Sequence, residues 1–261
     1  MSLAAKTLKS LVGRSVVVTG AASGLGEATA RYLAEQGAKI TIFDMDDVKG
    51  PAVADACGGK FVKTNVADEA SVKAAIDVAK GSFGTIHGVV NCAGIAYAAK
   101  VLGKKSVHSQ ALFEKVLMIN VAGSFNVARL AAEVMSKNKI ADGEDRGVIV
   151  NTASIAAFDG QIGQGAYSAS KGAVVAMTLP LARELAAHNI RVNTICPGIM
   201  MTPMLANLPE PVQESLSSSV PFPRRLGSSY EFAALVHHIF SNQYINGESI
   251  RLDGSLRMSA M

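Results

Sequence analysis

The sequence predicts an α/β protein, with a doubly wound, parallel, seven-stranded sheet in a single domain. Three observations carry that expectation. Strand-like runs alternate with helix-patterned stretches along the whole chain, at the spacing of strand–helix–strand units. The first run, Ser15-Val16-Val17-Val18-Thr19, is β-branched and continuously apolar in its middle, as suits a strand covered on both faces. No low-complexity linker or internal repeat divides the 261 residues, a length that suits one domain with a large core.

Strands are expected near 15–19, 39–43, 60–64, 86–90, 146–151, 190–195 and 248–252. Helices should fill about 25–36, 47–56, 69–82, 111–137, 165–188 and 229–241. The first helix carries alanines, Leu33 and charges at helical spacing, with Gly37 as its stop. The next strand, Lys39-Ile40-Thr41-Ile42-Phe43, ends in an acid, Asp44. Lys137 to Gly147 is polar and glycine-bearing, a surface loop before the fifth strand. Right-handed crossovers then build the doubly wound sheet, with ligands expected at the carboxyl ends of its strands.

Between the first strand and first helix lies Thr19-Gly20-Ala21-Ala22-Ser23-Gly24-Leu25-Gly26. Strand, glycine turn and helix start fall in the order a dinucleotide site requires. Glycines permit a tight turn and close backbone approach to a pyrophosphate, which rests among free N–H groups at the helix N-terminus. Gly20, Ser23, Gly24, Leu25 and Gly26 are therefore candidate cofactor residues. Asp44 can accept both ribose hydroxyls of NAD and would repel the extra phosphate of NADP, and neither Ser23 nor Met45 offers an arginine to hold that phosphate. NAD is the expected cofactor.

Far downstream stands Tyr167-Ser168-Ala169-Ser170-Lys171, with Ser154 thirteen residues before the tyrosine. Positions four apart share a helix face, so the phenol and the ammonium can meet in one pocket. A free tyrosine, with a pKa of about 10, is a poor base at neutral pH. A fixed cation beside it would favour the phenolate and suit it to proton transfer near pH 7.

On the glycine turn, Asn91-Cys92-Ala93-Gly94, Asn120, Ser154, Tyr167, Lys171 and Pro197-Gly198, the chain resembles the short-chain dehydrogenase/reductase family over nearly its whole length. Longer segments are similar to its type 2 3-hydroxyacyl-CoA dehydrogenase branch, also called the 17β-hydroxysteroid dehydrogenases of type 10. They are Asn151 to Phe158, Gly160 to Gln164, Met177 to Pro180, Val220 to Gly227 and Gly247 to Gly254.

The resemblance implies a Rossmann-like fold and reversible hydride transfer between nicotinamide and an alcohol carbon. Tyr167 would be the acid/base and Ser154 would hold the reacting oxygen. Lys171 would lower the tyrosine pKa and bond the nicotinamide ribose, while Asn120 anchors a water chain. It also implies that Asn65 and Val66 flank the adenine, although the family usually has aspartate where Asn65 stands. Asn91, Cys92, Ala93 and Gly94 would lie beside the ribose, with Asn91 equally readable as a pin within the sheet. Pro197, Gly198, Ile199 and Met200 would cover the nicotinamide, and Thr202 would bind its carboxamide.

For substrate, Gln164 lies three residues before the tyrosine, and a methionine-rich segment of about 199–220 reads as a lid over an acyl chain or steroid. Met204 and Leu205 are its candidate contacts. Lys100, Lys104, Lys105 and His108, after the fourth strand, read as CoA-phosphate ligands or as a solvated basic loop. The leading expectation is an NAD-dependent dehydrogenase interconverting L-3-hydroxyacyl-CoA and 3-oxoacyl-CoA, also oxidising hydroxysteroids. The alternatives are a 3-oxoacyl-carrier-protein reductase, another short-chain alcohol dehydrogenase, or a non-catalytic binding subunit. The family's usual homotetramer is inherited as an expectation.

Composition narrows the partners. A net charge of +4 favours anionic ligands without announcing nucleic-acid binding. Cys57, Cys92 and Cys196 form neither a CxxC nor a zinc spacing, so no metal is expected and a reducing compartment is. No uncharged stretch approaches the ~18 residues that span a bilayer, so no membrane partner is expected. Met1 to Gly13 holds Lys6 and Lys9 but no acid. It reads either as a targeting segment or as a leader with a solvated positive end. By resemblance the compartment is mitochondrial in a eukaryote and cytoplasmic in a bacterium.

Overall fold

The computed structural model describes residues 8–104, 106–140, 144–206 and 209–260, the side chain of Met204 excepted. In chain order, β1 (Ser15–Thr19) leads to α1 (Gly24–Glu35), then β2 (Lys39–Asp44), α2 (Lys49–Ala56), β3 (Lys60–Lys63), α3 (Glu69–Phe83) and β4 (Gly88–Asn91). A continuous helix follows, with α4 (Gln110–Leu117) and α5 (Ser124–Met135) joined by a π-helical turn, Met118–Gly123. Next come β5 (Gly147–Thr152), a 3₁₀ turn at Ile155–Ala157, α6 (Gly165–Ala186) and β6 (Ile190–Pro197). The chain closes with β7 (Met200–Met201), α7 (Pro203–Ala206), α8 (Glu210–Ser218), β8 (Gly227–Ser228), α9 (Ser229–Ser241) and β9 (Ser249–Leu252).

Seven strands form one parallel sheet in the order β3-β2-β1-β4-β5-β6-β9. Strand order reverses between β1 and β4, so a crevice opens at their carboxyl ends, where such sheets bind ligands. Alternation along each strand explains the continuous apolar runs. Val16 and Val18 join Ile40, Ile42, Leu33 and Phe232 on one face. Val17 joins Phe43, Val127, Ala131 and Val192 on the other. Both faces are covered by helices, so both register positions are mostly apolar.

The seven expected strands and six expected helices all form, with ends shifted by up to two residues. Two helices were not expected. The lid segment, for which no element is expected from the sequence, folds into α7 and α8. Pro203 opens α7 and Pro211 sits in the first turn of α8, where the missing N–H is one the helix would leave unpaired anyway. Two-residue β7 and β8 pair in parallel and tie the start of this lid to Gly227 and Ser228.

The basic leader is also corrected. Lys9 is not solvated: its ammonium lies 3.5 Å from Glu144 and its N–H donates to the Ser241 carbonyl. Lys6 lies outside the described residues. The helix from Gln110 to Met135 is long and apolar enough to cross a membrane by length and composition alone. It carries Glu114, Lys115, Arg129 and Glu133, and its face at Val127, Ala128 and Ala131 belongs to the core.

Candidate active site

The glycine turn is specified by what a Cβ would strike. At Gly20, where φ is +65°, it would lie 2.6 Å from the Ala93 nitrogen, so β1 can meet the end of β4 only without a side chain. At Gly26 it would lie 2.3 Å from the Gly20 carbonyl oxygen, so only glycine lets α1 start this close to β1. Ser23 precedes α1 in extended conformation with no side-chain cap, leaving the helix N-terminus to an outside acceptor. Across the turn, Thr202 faces Gly24, its methyl carbon 3.8 Å from where a Cβ would sit.

Asp44 braces the same turn. Its Oδ2 accepts from Ala22 N–H at 2.9 Å and its Oδ1 from Asp46 N–H at 3.0 Å. Asp46 and Asp47 follow directly, and the nearby Lys63 ammonium is held by Asp47 at 2.6 Å. This end of the crevice therefore favours neutral hydroxyls over a phosphate.

Asn65 is partly engaged within its own loop. Its side-chain oxygen already accepts from Ala67 N–H at 3.1 Å in a local turn. Val66 is buried against Gly123, and its carbonyl accepts from Asn126. Asn91 is the pin: it is 2% exposed and donates to Asn151 and to the Ser124 carbonyl, tying β4 to β5 and α5. Cys92 is a packing residue whose thiol burial pushes up to about 11. Ala93 N–H is held by the Thr19 hydroxyl at 3.0 Å, a tie between β1 and the β4 loop that the sequence did not suggest.

The side chains that carry chemistry converge beside this turn. Ser154 caps the 3₁₀ turn after β5, its hydroxyl accepting from Ala156 N–H at 3.1 Å. Tyr167 and Lys171 occupy one face of α6, with the ammonium 5.7 Å from the ring centroid. Lys171 is 6% exposed and donates to the Thr152 carbonyl at 2.8 Å. Asn120 sits in the π-helical turn, a local widening that often marks functional positions. It spans to the β4 loop, accepting from Ile95 N–H at 2.8 Å and donating to the Ile95 carbonyl at 2.9 Å. It also donates to Ser170 Oγ, whose hydroxyl donates in turn to the Tyr167 carbonyl. A Cβ on Gly94 would lie 3.1 Å from the Asn120 oxygen and 3.6 Å from the lysine nitrogen, so the β4 loop, π turn and α6 meet there.

The electrostatics correct one expectation. Burial pushes the Tyr167 phenol above its ordinary range, a hydrogen bond with Ser154 offsets part of that, and Lys171 does not pull it down. Burial lowers Lys171 itself to about 8. The ammonium is engaged by Thr152, and the site by itself stabilises the neutral phenol. The tuning expected from spacing therefore needs a further group to bring the two into contact, as catalytic hydrogen bonds often tighten only in a complex.

Other expected contact residues have protein partners. Met200 is 6% exposed and its sulfur packs where a Gly227 Cβ would lie 2.3 Å away, so its side chain fastens the lid. Gln164 uses its amide oxygen to accept from Gln161 N–H. Gly198 is pressed against Asp253, with Pro197 ending β6. Leu205 is half-buried in α7, whereas the Met204 side chain and Leu208 lie outside the described residues. Lys100 and Lys104 are exposed and Lys105 lies outside the described residues. Among the described residues no cluster of histidine, cysteine or acid could hold a metal.

A parallel sheet with this turn at its reversal point, and a serine–tyrosine–lysine group with a buried lysine beside it, defines a dinucleotide-dependent oxidoreductase. A family model described as "Enoyl-(Acyl carrier protein) reductase" matches residues 20–256. The chain is 50% identical over 262 residues to the rat protein named 3-hydroxyacyl-CoA dehydrogenase type-2, covering 99% of each. It is 53% identical to the *Drosophila melanogaster* protein of that name, covering 93% of this chain and 96% of the relative. A solved structure named for the same enzyme, from Mycobacterium avium, superposes with a TM-score of 0.90 at 40% identity, covering 95% of this chain and 98% of the other. The chain belongs to the short-chain dehydrogenase/reductase family, whose dehydrogenases work with a nicotinamide cofactor.

Proposed function

We propose that the protein is an NAD-dependent dehydrogenase interconverting L-3-hydroxyacyl-CoA and 3-oxoacyl-CoA. The observation that carries this is the convergence of Ser154, Tyr167 and Lys171 beside a glycine turn braced by Asp44, in a chain half identical, end to end, to proteins named for that activity. The residues present fit the cofactor. Gly20, Gly24 and Gly26 leave a side-chain-free cradle at the α1 N-terminus for a pyrophosphate. Asp44 retains acceptor capacity for ribose hydroxyls, and Asp46 and Asp47 add charge against a 2′-phosphate. When bound, the nicotinamide supplies the hydride acceptor or donor.

The chain's own residues handle the oxygen and its proton. Tyr167 takes the hydroxyl proton of the alcohol in oxidation and returns it in reduction. Ser154 holds the same oxygen and steadies its developing charge. Lys171, held here by the Thr152 carbonyl, would hold the nicotinamide ribose of a bound cofactor, and its charge beside the tyrosine would favour the phenolate. Asn120 keeps α5 and the β4 loop at the spacing this requires. The exposed apolar residues Met118, Phe125 and Leu179 on α4 to α6 suit a homotetramer, which sedimentation would test.

Acetoacetyl-CoA reduction with NADH and with NADPH, in wild type and Asp44→Ala, tests the reading. NADH should be strongly preferred, and the variant should lose about 10–100-fold in NADH affinity while gaining toward NADPH, the range for a charge-assisted hydrogen bond. Good turnover with NADPH alone would point instead to the carrier-protein reductase.

A further inference from the structure

The link between Ser154 and Tyr167 is a loop, Phe158 to Gln164, and its position is set from elsewhere in the chain. Arg251, on β9, reaches across to it. Its guanidinium donates to Asp159 Oδ2 at 2.5 Å and lies 5.3 Å from the Phe158 ring centroid. The same side chain donates to Asp253 at 2.6 Å and to the Leu256 carbonyl at 2.9 Å, so the segment after β9 is folded back on it. That segment then meets the loop directly. Ile162 N–H donates to the Ala260 carbonyl at 2.9 Å, and the Gln161 side chain donates to the Ser259 carbonyl. Below, Leu256 packs with Ile155, in the turn that Ser154 caps, and with Val220 at the end of the lid.

The loop has little freedom where it crosses α6. A Cβ on Gly160 would lie 2.3 Å from Ser168 Oγ and 3.2 Å from the Ala156 carbonyl oxygen. Any drift of Asp159 is thus passed to the residue next to Tyr167 on one side and to the Ser154 turn on the other. Asp159 N–H also donates to the Ile155 carbonyl at 2.9 Å, so the carboxylate and the turn move as one. Arg251 lowers the Asp159 carboxyl below its usual range, as a direct hydrogen bond between opposite charges does.

We propose that Arg251 is a positioning residue for the reaction: gripping Asp159 and Phe158, it sets the separation of Ser154 and Tyr167 without touching substrate or cofactor. The proposal rests on the reading of Tyr167 as the acid/base. Displacements near 1 Å in such groups cost about 100-fold in rate.

The test compares Arg251→Met, Arg251→Lys and Asp159→Asn in the full chain. Acetoacetyl-CoA turnover is read beside NADH affinity and the ultraviolet titration of the Tyr167 phenol, taken as the difference from Tyr167→Phe in each background. Arg251→Met should lower kcat about 10–100-fold with NADH affinity within about twofold. Its Tyr167 titration should move upward, because the Ser154 hydrogen bond that offsets burial is lost. Asp159→Asn should follow in the same direction, and Arg251→Lys should restore most of the rate. A kcat within about twofold of wild type, or a loss shared equally by NADH affinity with the titration unmoved, would overturn the proposal. Should Arg251→Met not fold, Asp159→Asn decides by the same readouts. Wild-type protein without turnover would instead refute the function reading, and the phenol titration would still judge the clamp.

Discussion

The two halves of the crevice are built on different principles. On the β1–β2 side the surface is backbone: Gly20 and Gly26 exclude every side chain, and Asp44 braces the turn through N–H groups. On the β5–α6 side the surface is buried polar side chains, Lys171 6% exposed and held by the Thr152 carbonyl, and Asn120 1% exposed and held by the Ile95 N–H and carbonyl and the Ser170 hydroxyl. The first half is specified by absence of volume and tolerates no addition. The second is specified by donors and acceptors and tolerates no subtraction. Steric specification costs stability when it is violated, whereas a buried charge such as Lys171 costs stability even when it is intact.

The sharpest way to break this distinction is Tyr167→Phe. It removes only the phenol hydroxyl, so turnover should fall about 10²–10⁴-fold, the usual share of general acid–base catalysis. NADH binding, measured by fluorescence, should hold, since the glycine half is untouched. Loss of both together would mean the halves are not separable.

Lys171→Met sharpens the cost of the polar half. Burial lowers this lysine from 10.5 to about 8, so the unfolded chain binds its proton more tightly and the folded charge is a burden at neutral pH. The burden is complete below pH 8 and disappears as pH rises from about 8 to 10.5. The variant should therefore be more stable than wild type at pH 7, by up to about 3 kcal/mol, while losing activity. Denaturant unfolding at pH 7 and 10.5 checks this, and an advantage that stays constant between them would contradict it.

Gly26→Ala probes the other half. Its Cβ has no space against the Gly20 carbonyl, so overpacking of about 1–3 kcal/mol should accompany a loss of NADH affinity. Thermal melts and titration read both, and the phenol titration of Tyr167 should not move. The smallest effect is expected outside both halves. Glu231 completes the capping box of α9 and is lowered to about 2 by Arg225 and the Ser228 N–H. Its contribution is present above about pH 4.5 and lost as pH falls toward 2. Glu231→Gln should cost at most about 1 kcal/mol at pH 7, since the pair is solvated, and nothing at pH 2.

Legibility divided along the same line. The glycine turn could be read because strand, turn and helix are contiguous and each glycine has a local reason. The two lid helices were not legible because a proline stops a helix or starts one depending on which residue is first, and that depends on where β7 is pinned. Spacing placed Tyr167 and Lys171 on one face of α6 but could not reveal that Thr152, at the end of β5, would hold the ammonium.

Local chemistry along the chain was enough to determine the parallel sheet, the dinucleotide turn and the shared face of Tyr167 and Lys171, while the family resemblance supplied the roles of Ser154 and Asn120. Periodicity and turn geometry act within a few residues, so the order of residues contains them. The tertiary structure alone decided protonation and position: burial holds the phenol neutral, and Arg251 reaches a loop 92 residues away to set it. Desolvation and long-range hydrogen bonds depend on what the fold brings near, and no window of sequence encodes that by itself.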